Sequence, residues 1–294
     1  MFIKKREWKI DFMRFRRKAV ILSGILVLAS LGLLMTRGLN LGIDFSGGHL
    51  VQAEFSESVG VAEVRDLLAE IGQEQAVIQG YGDNGMIVRL RSSADDRQVE
   101  AVIDTLRENY SGMEVLRLEK VGPVVGETLR RQAVIAVVIA LAGILLYITV
   151  RFRFRFAVSS VMALLHDAII TLGVFSLTGR EITLPFIAAI LTIVGYSLND
   201  TIVVLDRIRE NWKGLRKEGI LPLINRSINQ TLSRTLNTSL TTFLPVLALF
   251  LWGGPVIANF AFALMVGIIV GTYSSIYVSG TILGEWYLRS PETK

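Results

Sequence analysis

Long apolar runs alternate along the chain with short basic clusters, and one polar block interrupts the series near the N-terminal end. A membrane-crossing helix needs roughly 17 to 25 mostly apolar residues. Six stretches reach that length: 19–36, 133–150, 157–178, 182–205, 236–252 and 256 to about 283. The pattern predicts an α-helical polytopic membrane protein with six transmembrane helices.

The polar block, residues 37–131, carries shorter periods. Residues 49–55 predict a strand. Residues 61–71 predict an amphipathic helix with Val61, Val64, Leu67, Leu68 and Ile71 on one face, and 75–79 a second strand. Asp83-Asn84-Gly85 signals a hairpin into a strand at 86–91. Residues 95–109 predict a helix with Val99, Val102, Ile103 and Leu106 inward, and 113–121 a last strand. The order βαββαβ is that of a small α+β ferredoxin-like domain.

Between the fourth and fifth spans, residues 206–235 begin as a charged continuation of the preceding helix, break near Gly219 and restart with Pro222 at a helix start. Ile224, Ile228 and Leu232 recur at helical spacing beside Arg226 and Arg234, which predicts an interfacial helix entering span five.

Composition agrees with a membrane protein: 51% of the 294 residues are hydrophobic and none is cysteine, which removes disulfides, thiolate metal sites and a lipoprotein anchor. The net charge of +5 does not point to nucleic acid, because the basic residues sit at the ends of apolar runs. Arg151-Phe-Arg-Phe-Arg-Phe156 is read in the same way, as an interface anchor. Lys4, Lys5, Arg6, Lys9 and Arg14 to Lys18 precede span one, Arg151, Arg153 and Arg155 lie between spans two and three, and Arg207 to Arg234 between four and five. The opposite loops hold little beyond Arg180, so the rich side is cytoplasmic, both termini lie inside and the polar block lies outside. The expected division is a basic N-terminus at 1–18, span one at 19–36, an extracytoplasmic domain at 37–131, spans two to six within 132–283 with a cytoplasmic loop at 206–235, and a cytoplasmic C-terminus at 284–294. The first apolar run is as long as a span and ends without a small-x-small cleavage site, so it reads as a retained anchor.

Ionisable groups inside spans are costly and persist where a partner or a water path receives them. Asn199 and Asp200 lie in span four, His166 and Asp167 in span three, and Arg234 with Asn237, Thr238 and Ser239 at the inner end of span five. Asp167 falls near the midplane, ~15 Å of helix rise from the cytoplasmic end. A carboxylate beside a guanidinium can switch protonation as water reaches it, whereas arginine keeps its proton. Asp200 is thus the candidate switch and Arg234 the candidate counter-charge, against a bland reading in which Arg234 snorkels and Asn199 and Asp200 only join helices. His166 and Asp167 are adjacent, hence ~100° apart on a helix, which predicts that they cannot both face one partner. Asp167 is the expected interior group. His49 is the only other histidine, so no metal site is expected. Pro245 leaves the Thr241 carbonyl without its helical donor, with the Thr241 and Thr242 hydroxyls available to it. Gly267-x-x-x-Gly271 is a close-packing signal.

Four segments together resemble the SecD/SecF family, within the resistance-nodulation-division superfamily. They are Leu41-Gly-Ile-Asp-Phe-Ser-Gly-Gly48, Val194-Gly-Tyr-Ser-Leu-Asn-Asp-Thr-Ile-Val-Val-Leu-Asp-Arg-Ile-Arg-Glu-Asn211, Thr231-Leu-Ser-Arg-Thr-Leu-Asn-Thr-Ser239, and Gly253-Gly-Pro255 with Gly271-Thr-Tyr-Ser-Ser-Ile-Tyr277. The resemblance implies a non-enzymatic, SecF-type subunit in the bacterial cytoplasmic membrane, paired with SecD and associated with the SecYEG channel and YajC. It implies that the proton gradient, with no cofactor, helps draw a translocating preprotein outward after the ATP-driven step of SecA. It places Asp200 and Arg234 on the proton route and makes Gly42, Asp44, Gly47 and Gly48 the family signature at the domain entry; Asn199, Asp167, His166 and Asn237, polar groups within or at the ends of spans, are the candidate supporting groups. Asp44 is read as a turn cap rather than a catalytic group. Three other readings compete: a proton-coupled exporter of small molecules or lipids, an intramembrane aspartyl protease using Asp167 and Asp200, and a passive scaffold.

Overall fold

Inside a bilayer every backbone donor and acceptor must be paired within the chain, and the apolar runs accordingly fold as helices. The computed structural model describes residues 8–91, 93–152 and 154–289. Lys4, Lys5, Arg6 and Arg153 of the basic clusters, and residues 290–294 of the expected C-terminus, lie outside the described residues. In chain order the first elements are α1 (Arg16–Thr36), β1 (Asn40–Leu41), α2 (Ile43–Ser46), β2 (Gly48–Glu54), α3 (Val61–Glu70), β3 (Val77–Tyr81), β4 (Gly85–Leu90), α4 (Asp96–Asn109) and β5 (Glu114–Val121). They continue with α5 (Pro123–Arg151), α6 (Phe154–Thr178), β6 (Glu181–Ile182), α7 (Leu184–Glu210), α8 (Leu215–Glu218), α9 (Ile220–Trp252) and α10 (Pro255–Leu288). Among the described residues six helices, counting α1 with the short 3-10 turn before it, are long and apolar enough to span a membrane. The chain divides after Asn40 and again after Ala136 into a membrane unit and an α/β unit, Leu41–Ala136.

In the α/β unit the sheet order is β3-β4-β2-β5, with every neighbouring pair antiparallel. This is the strand order that a βαββαβ chain gives when two split units interleave. Val51 on β2 stands opposite Val88 on β4 and Leu118 on β5. The core joins Val51, Ala53 and Val88 of the sheet to Val64 and Leu68 of α3 and Val99, Val102 and Leu106 of α4, all within 4% exposure. The helical spacing of those apolar residues thus fixes which face of each helix turns inward. Asp95 caps α4 by accepting from the Gln98 amide, while the Gln98 side chain accepts from the Asp95 amide.

The helix after this domain starts earlier than the apolar run suggests. α5 opens at Pro123, directly after Gly122, and its first turns are polar with Glu127, Arg130 and Arg131. Proline presets the backbone for a first helical position, so the sheet passes into the span through a single intervening residue. Gly126 of this helix is buried against the signature segment. A Cβ there would lie 3.0 Å from the Gly47 amide nitrogen and 3.4 Å from the Phe45 carbonyl carbon.

In the membrane unit, α10 packs on α6, α7 and α9, and α1 packs on α6. Small residues set these contacts. A side chain at Gly173 of α6 would collide with Ser30 of α1, and one at Gly267 of α10 with Ile193 of α7. Gly267 and Gly271 therefore act as the packing signal their spacing predicts. The segment between α7 and α9 passes through a 3-10 turn, Asn211–Gly214, and α8 before Gly219, whose φ of +80° ends one helix and admits the next. From Ile220 the interfacial helix and span five form one continuous α9, through Pro245. The Thr241 hydroxyl donates to the Asn237 and Thr238 carbonyls and that of Thr242 to Thr238, so neither caps the Thr241 carbonyl as the sequence suggested.

The chain before α1 is tied to the start of α9. Asn229 accepts from the Ile10 amide at 2.9 Å and donates to the Ile10 carbonyl at 2.8 Å. Asn225 accepts from the Phe12 amide at 2.8 Å and also donates to the Ile10 carbonyl, while the Trp8 indole donates to Ser233. Asn225, Asn229 and Ser233 follow one another at four-residue steps on one face of α9, matched to the backbone strap of residues 8–12.

Candidate functional site

α7 begins after Thr183, whose extended backbone marks the cap, with Pro185 in its first turn, and runs mostly apolar for about four turns before Asn199 and Asp200. Asp200 is 2% exposed on this helix, and its Oδ2 is buried with no hydrogen-bond partner. Asn199, the adjacent residue, is exposed. A step of ~100° per residue separates them, so one points into the bundle and the other away from it.

The groups that act on the Asp200 carboxyl come from α9: the Ser239 hydroxyl and the charge of Arg234. Ser239 is in turn 2.7 Å from the Thr272 hydroxyl of α10. Among the described residues Arg234 and Asp200 do not close to an ion pair; the guanidinium acts through space from an exposed position on α9. Asn237 is exposed as well. Asn199, Arg234 and Asn237 thus stand outside the packed interior, on α7 and α9. Polar groups within spans face protein or water rather than lipid. These exposed positions therefore call for another protein surface or a water-filled path.

His166 and Asp167 are both buried, at 6% and 1% exposure, and they meet. His166 Nδ1 is 2.9 Å from Asp167 Oδ1. The expectation that the two cannot both face one partner did not cover a contact between them: the Cβ directions diverge, but the imidazole is long enough to turn back onto its neighbour. The second carboxylate oxygen accepts from Ser197 of α7 at 2.5 Å and from Ser274 of α10 at 2.7 Å. Asp167 therefore joins three helices at one point. It lies about 20 Å along α6 from Phe154 and about 17 Å from Thr178, near mid-membrane.

A Cβ on Gly271 would sit 3.1 Å from the Ser197 Cβ and 3.6 Å from Asp167 Oδ2, so glycine there lets α7 and α10 approach closely enough for both serines to reach one oxygen. Ser197 precedes Asp200 by three residues, which puts the two carboxylates on neighbouring turns of one polar seam.

At the domain entry, Gly42 caps the short α2 and Asp44 lies in its first turn. Gly47 and Gly48 have φ of +70° and +129°, which L side chains rarely adopt. Among the described residues no group of three or more His, Asp or Glu gathers as a metal site would require. Ser197, Ser274 and the Ser239 to Thr272 contact are the members that sequence reasoning did not place. Hydroxyls in spans ordinarily bond to their own helix, so composition does not distinguish these.

Residues 101–289 match the family described as protein export membrane protein SecD/SecF, C-terminal, and residues 32–59 the SecD/SecF GG motif. The chain is 48% identical to the protein translocase subunit SecF of Desulfurispirillum indicum, over 98% of this chain and 95% of that one. It is 44% identical to the protein translocase subunit SecDF of Thermus thermophilus, over 98% of this chain and 40% of that one. The crystal structure of SecDF from Thermus thermophilus, described as a translocon-associated membrane protein, superposes with a TM-score of 0.90 at 43% identity. The match covers 98% of this chain and 40% of that one, so this chain spans less than half of the fused protein.

Proposed function

The chain belongs to the SecD/SecF family, and we propose that it is the SecF-type subunit of a protein translocase that uses the proton gradient to promote export of preproteins. Its role is transport rather than catalysis. The observation that carries this reading is the Asp200 carboxyl, 2% exposed inside a membrane span, with one oxygen unpartnered and the Arg234 charge within reach. A group so placed changes its hydration and its pairing when either helix shifts, and proton binding then follows the shift.

A SecD-type chain is the partner that would cover Asn199, Arg234 and Asn237, a reading supported by the relative in which the two halves form one protein. Closing that face would cover Arg234 with protein and turn an open polar edge into a proton path. The SecYEG channel, YajC and the translocating preprotein are the further partners, in the bacterial cytoplasmic membrane with both termini cytoplasmic. A proton crossing 100 mV releases about 2.3 kcal/mol, so export would proceed over many small steps rather than one pull. The energy source is the gradient, without a cofactor.

The test is export into membrane vesicles that hold this chain with its SecD-type partner, measured with the gradient imposed and then collapsed. The subunit should add to export only while the gradient stands. An Arg234→Met variant that inserts and pairs normally should lose that increment, whereas Arg234→Lys should keep part of it.

A further inference from the structure

We infer that His166 and Asp167 form a second proton-binding unit of the membrane bundle, in which the added proton is taken up at Nε2 of His166. The inference rests on the proton-coupled reading above. Both oxygens of the Asp167 carboxylate are engaged: Ser197 and Ser274 meet one and His166 Nδ1 the other. The imidazole's other nitrogen is not engaged. His166 Nε2 is buried and has no hydrogen-bond partner.

Proton accounting then leaves two states. With Nδ1–H donating to an ionised Asp167, the imidazole is neutral, Nε2 carries a bare lone pair and the pair has one net negative charge. One proton added at Nε2 makes an imidazolium beside the carboxylate, and the net charge becomes zero; no other bond changes. A net charge near mid-membrane is disfavoured unless it is paired. The facing groups do not pair it: α7 brings Ser197, with Asp200 on the next turn, and α10 brings Ser274 and Tyr273, whose hydroxyl meets Ser23 of α1. Tyr273 stacks obliquely on the imidazole, with ring centroids 6.1 Å apart, and its hydroxyl is engaged by the Ala19 carbonyl at 2.8 Å. No lysine or arginine touches the pair among the described residues. A proton is therefore the cation that fits, and Asp167 orients and stabilises the ring that holds it.

The chain has two histidines, so imidazole nitrogen NMR on the full chain with its partner in bilayers, in a His49→Gln background, reads His166 alone. On lowering the pH from about 9 to about 5, Nδ1 should stay protonated while Nε2 passes from bare to protonated. An Nε2 that keeps one state throughout would overturn the inference. His166→Gln retains a donor for Asp167 without a titrating ring, and its gradient-stimulated export should fall about tenfold or more with thermal stability close to wild type. Full stimulation by His166→Gln beside an inactive Asp200→Asn would overturn this inference and leave the Asp200 reading standing. Full stimulation by both variants would overturn both.

Discussion

The Asp167 carboxylate of α6 accepts the Ser274 hydroxyl of α10 at 2.7 Å, and the same oxygen accepts Ser197 of α7. One buried atom thus sets the mutual position of three spans, including the one that carries Asp200. Removing it should loosen the bundle. Asp167→Ala leaves two buried hydroxyls and an imidazole without their acceptor, at a cost of about 3 kcal/mol. The melting temperature of the detergent-solubilised chain should fall by several degrees, and an unchanged value would contradict the three-helix role.

The glycines of α10 provide an internal comparison. Gly267→Ala puts a methyl group into Ile193 where α10 packs on α7, and should destabilise by about 1–3 kcal/mol. Gly143→Ala on α5 meets nothing within 4 Å and improves helix propensity. It should be neutral or slightly stabilising. Equal effects in thermal unfolding would show that the α7 to α10 contact does not depend on glycine.

The N-terminal strap should come free when its side-chain ligands are removed. Asn225→Leu with Asn229→Leu deletes the amides that pair with Ile10 and Phe12 while leaving α9 helical. Limited trypsin digestion should then cut at Lys9 or Arg14 markedly faster than in wild type, with the rest of the chain equally resistant. Unchanged cleavage would mean that other contacts hold the strap.

In the α/β unit, a hydrogen bond from the Lys120 ammonium, with its charge, holds the Asp96 carboxyl below the usual carboxylate range. The folded value is thus below the unfolded one. The pair's contribution to stability is present above the unfolded value and is lost as the pH falls through the folded one. Both groups are exposed, so salt screens the effect and its size is small. Lys120→Gln should return Asp96 to the ordinary range in a side-chain carbonyl NMR titration; no movement would contradict the pairing.

The legible parts of the sequence were those in which residue type alone reports an environment. Val99, Val102 and Leu106 give the buried face of α4 from spacing, and a carboxyl inside an apolar run places Asp200 within a span. Helix rotation and side-chain reach were not legible. Asn199 and Asp200 carry similar polarity, yet the packing of α7 in the bundle turns Asp200 in and Asn199 out. Ser197 and Ser274 lie 77 positions apart, and nothing local marks them as ligands of one oxygen. The strap was readable in part: Asn225, Asn229 and Ser233 form a polar stripe beside the apolar Ile224, Ile228 and Leu232, a pattern that asks for a polar partner.

Replacing Asp200 by asparagine tests the central claim most directly, because the amide keeps the size and much of the hydrogen bonding of the acid and removes only its titration. Export into vesicles is measured for wild type and Asp200→Asn, each paired with the SecD-type chain, before and after a proton gradient is imposed. The variant should insert and pair as wild type does and show the same export without the gradient, but gain nothing when the gradient is applied. A gradient-dependent gain equal to that of wild type would contradict proton carriage by Asp200.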